Sequence, residues 1–184
     1  FYTQILSPVL AHIANENKNN AFCIDDKLYT YGQFGEAISN IRGLIQARKI
    51  SNKHVGLVTN NDLETYASIF ALWLEGLCYV PLHIKQPIDR CEDIIDQVGI
   101  DTILDSSKKT RYCAELVVNT KAEATIKADL NPITGIDENS LAYILFTSGS
   151  TGKPKGVSLS RKNIGSFMDS FWATGIKLTP EDKC

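Results

Sequence analysis

Between His54 and Leu104 the chain alternates short apolar runs with amphipathic stretches, and few folds accommodate that rhythm. His54-Val55-Gly56-Leu57-Val58 reads as a compact strand, Leu63 to Glu75 as a helix closed by Gly76, and Cys78-Tyr79-Val80-Pro81-Leu82 as a second strand. Pro87 to Val98 reads as a helix with proline in its first turn and Gly99 as its stop, and Thr102-Ile103-Leu104 as a third strand. Strand, helix, strand, helix, strand predicts an α/β fold, a mostly parallel sheet flanked by helices. Glu115 to Val118 adds a further short strand.

The segments on either side fit the same frame. Ile5 to Asn17 is an amphipathic helix candidate with Ile5, Val9, His12 and Ile13 on one side. Ala21 to Ile24 and Leu28-Tyr29 form an N-terminal β-hairpin joined by Asp25-Asp26-Lys27. Thr30 and Gln33 have capping-box spacing, and the helix they open carries Phe34, Ala37, Ile38, Ile41, Leu44 and Ile45 in steps of three and four. Lys121 to Glu138, broken by Asn131-Pro132 and Gly135, is expected to be a surface connection.

The 184 residues suffice for one compact domain with a core, and 43% apolar residues argue against disorder. A net charge of −2 with no basic tail gives nucleic acid nothing general to bind. Five cysteines without a CxxC pair read as thiols in a reducing compartment, with no zinc site expected. No apolar run approaches the ~20 residues of a membrane span, so a cytoplasmic protein is expected. Phe1 at the start and Cys184 after a turn-like Thr179-Pro180-Glu181-Asp182 suggest a piece of a longer polypeptide.

One segment speaks to chemistry. Leu141 to Phe146 is strand-like and runs straight into Thr147-Ser148-Gly149-Ser150-Thr151-Gly152-Lys153-Pro154-Lys155-Gly156. Its glycines permit positive φ or a close approach, and its hydroxyls, backbone N–H groups and two lysines are all donors, which suits a polyanion such as a nucleoside triphosphate. A solvated linker can share this composition, but linkers rarely follow an apolar strand without a break or hold Lys-Pro-Lys inside a glycine frame. A Walker loop is a poor match: the glycine spacing is one step short, and Pro154 stands where the metal-binding Ser or Thr should be. Val157 to Ser160 alternates like a strand rather than opening a helix. The next helix, Arg161 to Ala173, has Ser160 at its N-cap.

Tyr143 to Val157 resembles, position for position, the AMP-binding signature of the adenylate-forming enzymes. That superfamily includes acyl-CoA synthetases, luciferases and the amino-acid-activating domains of peptide synthetases. Ala71 to Leu82 is similar to the family's helix-glycine-strand segment ending in Tyr-Val-Pro, and Thr30 to Phe34 to its early helix start. Pro87, Arg90, Ile94 and Ile95 fit the amino-acid-activating (peptide-synthetase or D-alanyl ligase-like) branch. His83, Gln86 and Leu74-Glu75 depart from common choices, outside the phosphate loop.

The resemblance implies that residues 1–184 are the N-terminal fragment of an adenylation domain and too little of one to adenylate alone. It implies ATP with Mg2+, and a carboxylic acid, an amino acid in that branch, activated as an acyl-adenylate. Transfer to a thiol follows, on a phosphopantetheine carrier protein or coenzyme A; no nucleic acid or membrane partner is implied. By carry-over the ATP-binding residues are Thr147, Ser148, Gly149, Ser150, Thr151, Gly152, Lys153, Lys155 and Gly156, with Lys155 the main charged phosphate contact and Pro154 aiming it. No catalytic acid–base pair and no metal ligand is assigned. Two alternatives remain: a non-catalytic module that kept the adenylating fold, and an unrelated phosphotransferase, which would show a helix directly after Gly156. With no ligand the loop is expected to be mobile.

Other candidates are plainer. His12 and His54 are expected to be structural and the Trp73–Tyr79 pair to be core, while His83, just past a strand end, is a possible site contact.

Overall fold

The computed structural model describes residues 1–147 and 153–176. A wide helical turn over Tyr2–Leu6 leads into α1 (Ser7–Asn15), two residues later than the periodicity predicts. Strands β1 (Asn20–Ile24) and β2 (Lys27–Thr30) form the antiparallel hairpin. Its turn is tighter than expected, with Asp25 and Asp26 left-handed at φ 48° and 61°, the geometry that matches the twist of paired strands.

There follow α2 (Tyr31–Arg48), β3 (His54–Thr59), α3 (Leu63–Leu74), β4 (Cys78–His83), α4 (Ile88–Val98), β5 (Ile103–Asp105), β6 (Val117–Asn119), β7 (Leu141–Thr147), β8 (Lys155–Ser160) and α5 (Arg161–Ala173). The helix ends obey their sequence signals. Thr30 and Gln33 cap α2 reciprocally, Ser160 and Asn163 do the same for α5, and Gly99 takes the left-handed conformation that stops α4. Asp62 caps α3, accepting from the Thr65 amide.

The main sheet has six strands in the order β6-β5-β3-β4-β7-β8. All neighbours are parallel except β7 and β8, which are antiparallel. Successive strand residues point to opposite faces, and each face has its own core. Val55, Leu57 and Leu104 pack with Phe34, Ile38 and Ile41 of α2 and with Ala67, Ala71 and Leu72 of α3. Val58 and Ile103 pack instead with Val80, Leu82 and α4's Cys91 and Ile94.

Lys121 to Glu138 runs over the surface as expected, but it is pinned along α2. Asn40 Nδ2 donates to Ala122 O at 2.8 Å, Ser39 O accepts from the Ala128 amide at 3.1 Å, and Arg42 Nη1 donates to Asp129 O and Asn131 O at 2.6 and 2.7 Å. Arg42 is only 2% exposed and pairs with Glu75 Oε1 at 2.6 Å. Gly43 lies directly under the Ile126 carbonyl, where a Cβ would collide with backbone.

Candidate functional site

Both strands expected around the donor-rich segment are present. β7 and β8 pair antiparallel from Leu141–Ser160 to Thr147–Lys155, so no helix starts after Gly156 and the phosphotransferase alternative loses its distinguishing mark. Because β3, β4, β5 and β7 are parallel, Thr147 ends β7 at the same edge of the sheet as Thr59, His83 and Asp105 end their strands. This carboxyl edge is where open α/β sheets bind ligands.

Thr147 and Lys155 form the outermost described pair of the hairpin, both exposed, with Thr147 Oγ1 3.5 Å from Lys155 O. Lys153 is exposed, and Pro154 between the two lysines is buried. Ser148, Gly149, Ser150, Thr151 and Gly152, and with them the expectation of a mobile loop, lie outside the described residues. Gly156 is not among the residues with positive φ; it sits opposite Phe146, and a Cβ there would come within 3.1 Å of the ring. Its glycine thus answers to packing within the hairpin.

A second polar group at the same edge is not evident from the sequence. The chain leaves β3 toward β4 on one side and leaves β5 toward β6 on the other, which opens a crevice between β3 and β5. Asn60 spans it, donating to Ser106 Oγ at 2.7 Å and to Ser107 Oγ at 3.2 Å, and Ser107's amide donates to Asp105 Oδ1 at 2.8 Å. Beside it Asp62 accepts from Lys121 Nζ at 3.0 Å. Partial burial works against the Asp62 carboxylate, yet hydrogen bonds from Thr65, Ser106 and Lys121 outweigh it and hold the pKa below its ordinary value. The readable signal is polar residues placed just after two apolar strands.

The histidines carry little chemistry. His83 shapes a turn: its carbonyl accepts from Arg111 Nη2 at 3.0 Å, and its Nδ1 accepts from the Lys85 amide at 3.1 Å. His12 is half-buried, stacked on Tyr31 with ring centroids 5.0 Å apart. His54 pairs with Cys78 across the β3–β4 ladder. Trp73 is core, 6.0 Å from the Tyr79 ring. Burial pushes the Cys78 thiol and the Tyr79 phenol both up to about 12, so neither is ionised near neutrality.

Nothing in the sequence pattern singles out Arg161. It is 1% exposed at the start of α5, donating to Ser140 Oγ at 3.0 Å, Leu77 O at 3.2 Å and Trp73 O at 3.3 Å. Its guanidinium also lies over the Phe1 ring, 5.2 Å from the centroid. It thereby fastens the base of the β7–β8 hairpin to the end of α3, whose terminal carbonyls favour a cation. Burial lowers its pKa from the usual arginine value, countered by Glu138.

Among the described residues no three His, Cys, Asp or Glu side chains converge as a metal site, and no helix is long and apolar enough to cross a membrane.

Residues 10–184 match the family described as AMP-binding enzyme. Tyrocidine synthase 1 of Brevibacillus parabrevis is 25% identical over 170 residues, covering 89% of this chain and 16% of the relative. Nonribosomal peptide synthetase 7 of Aspergillus fumigatus is 28% identical over 147 residues, covering 76% of this chain and 6% of the relative. The chain therefore spans a small part of these relatives. Among solved structures, the N-terminal subdomain of Klebsiella oxytoca NpsA in complex with 3-hydroxybenzoyl-AMSN superposes with a TM-score of 0.67 at 20% identity, covering 84% of this chain and 40% of that one. The four-domain nonribosomal peptide synthetase AB3403, bound to AMP and glycine, superposes with a TM-score of 0.74 at 24% identity, covering 91% and 12%. At these identities the superpositions speak for the fold, which is the flanked, mostly parallel sheet expected from the strand–helix alternation. With the match running over nearly the whole length, the chain belongs to the AMP-binding enzyme family.

Proposed function

We propose that residues 1–184 are the N-terminal part of an adenylation domain, one that activates a carboxylic acid, an amino acid in the branch it most resembles, at the expense of ATP. The observation that carries this reading is the β7–β8 hairpin, which presents Thr147 and Lys155 side by side at the carboxyl edge of the sheet. The peptide synthetase among the relatives and the one among the solved structures support the amino acid as substrate.

In this reaction a carboxylate oxygen attacks the α-phosphorus of ATP. The bond from that phosphorus to the bridging oxygen breaks, and pyrophosphate leaves with the negative charge. The acid supplies the nucleophile, so the protein's task is to position the reactants and stabilise charge on the leaving group. Hydroxyls of Thr147, Ser148, Ser150 and Thr151 and the backbone N–H groups of Gly149 and Gly152 would donate to the β- and γ-phosphates. Lys155 supplies the cation, with Lys153 nearby, and Gly156 keeps β8 close to Phe146 so that the loop leaves the sheet in register. Donors of this kind suit phosphate oxygens rather than a bare dication, so Mg2+ enters as part of the Mg·ATP substrate. A second step transfers the acyl group to a thiol, on a phosphopantetheine carrier protein or coenzyme A, and releases AMP.

Lys155 is exposed, so its loss should spare the fold. In the whole adenylation domain, Lys155→Ala is expected to slow substrate-dependent ATP–pyrophosphate exchange by about 30- to 150-fold, the value of one charge-assisted donor at ~2–3 kcal/mol, with Tm unchanged. An unchanged exchange rate would remove Lys155 from the site. ATP binding with no exchange for any amino or fatty acid would favour the non-catalytic module instead.

A further inference from the structure

The carboxyl edge of the sheet carries a charge that the chain as a whole does not. The net charge is −2, yet the segments that leave β4, β5 and β7 at this edge, residues 84–87, 106–112 and 148–154, hold Lys85, Lys108, Lys109, Arg111 and Lys153 and not one carboxylate. Lys155, where β8 begins, adds another cation. Lys85, Lys108 and Lys109 are exposed, and among the described residues none of the three has a carboxylate within ion-pair distance. The acids nearest these segments offer them no counter-charge. Asp62 takes Lys121, Asp105 is 2% exposed and accepts from the Ser107 amide, and Asp89 in α4's first turn is followed by Arg90. Single surface lysines are ordinary, but a rim of one sign along a crevice focuses its field outward.

Arg111 sets where these lysines stand. Its guanidinium donates to Gln86 O at 2.8 Å and to His83 O at 3.0 Å, which ties the segment after β5 to the segment after β4. β4 lies next to β7, and the Tyr79–Tyr143 pairing carried four residues on brings His83 level with Thr147. With neighbouring strands ~4.8 Å apart, β4 ends one spacing from β7 and β5 ends three spacings away, about 14 Å. That separation is well inside a Debye length of ~30 Å at 0.01 M salt and well outside one of ~3 Å at 1 M.

We propose that Lys85, Lys108 and Lys109 steer ATP to the loop between β7 and β8. Mg·ATP is still net negative, so their field draws the polyphosphate along the carboxyl edge and raises the rate of encounter, while the loop's own donors hold it once bound. The proposal rests on the adenylation-domain reading above but does not depend on Lys155's role.

The test is rapid mixing of the whole adenylation domain with a fluorescent N-methylanthraniloyl ATP and Mg2+, for the wild type and for the triple variant Lys85→Gln, Lys108→Gln, Lys109→Gln. At an ionic strength of ~10 mM the variant should associate at least about tenfold more slowly, with a dissociation rate within about twofold of the wild type. At ~1 M salt the two association rates should converge to within about twofold. Because the three side chains are exposed, Tm should move by less than about 2 °C. Equal association rates at low salt overturn the proposal. So does a deficit that persists at high salt, which would mark a short-range contact or a damaged site. Unchanged association of ATP with impaired acyl transfer to a carrier protein would give the lysines to that partner and also overturn it. Lys155→Ala, measured alongside, separates this proposal from the reading beneath it. Faster dissociation in that variant, with equal association rates for the triple variant and the wild type, sinks the steering alone. No binding of the analogue by the wild type at either salt concentration sinks both.

Discussion

Asp62 serves as a helix cap and as an ion-pair partner, and the two roles can be separated by one substitution. Asn accepts from the Thr65 amide as Asp does, so Asp62→Asn keeps the cap and removes the charge facing Lys121. The folded carboxylate is held below its ordinary pKa. Its stabilisation is therefore complete above the unfolded value and lost as pH falls through the folded one. The wild-type chain should be more stable than Asp62→Asn by about 1 kcal/mol at pH 7, a figure kept small because the pair is partly exposed, and the gap should close below about pH 4. Urea midpoints across that range would measure it, and a gap that persists in acid would contradict the charge argument. At this scale the sequence is least legible. Arg161 and Arg42 look like surface arginines in a string of letters; their burial follows from carbonyls and a carboxylate brought in from 33 to 89 residues away. Thr30 and Gln33, by contrast, are legible as a cap because their spacing is local.

Elements are easier to read, since periodicity and caps are themselves local signals. Every strand and helix of the alternation from β3 to β5 is present, and errors are confined to ends, as in β6, which begins at Val117 rather than Glu115. What periodicity cannot convey is how one element accommodates its neighbour. The β7–β8 hairpin shows this at Gly156, where Phe146 Cζ and Ile144 Cγ2 would sit 3.1 and 3.2 Å from an added Cβ. Gly156→Ala should cost about 1 kcal/mol, the lower end of overpacking, and Phe146→Leu in the same chain should recover part of it because the ring is the obstruction. Chemical denaturation of the two single variants and the double variant would show the coupling; purely additive losses would mean that the glycine answers to something other than the ring.

The whole molecule is two segments of chain that meet in one sheet. β7 reaches β4 only after the strap along α2 has carried the chain across, and parallel pairing at Tyr79–Tyr143 joins what sequence keeps far apart. The strap is exposed over most of its length, yet Arg42 holds its backbone at Asp129 and Asn131 while β7 and Arg161 hold the segment beyond it. Its exposure makes it a cleavage site, and its anchoring makes the cut harmless to the fold. Brief trypsin treatment should nick the chain at Lys121 or Lys127, and the two pieces should elute together on a native sizing column, parting only in denaturant. Pieces that separate under native conditions would show that the connection itself, rather than the sheet and two buried arginines, holds the halves together. Co-elution would mean that strand pairing and two buried arginines hold the pieces together without the connection, with the β7–β8 hairpin carried on the smaller one.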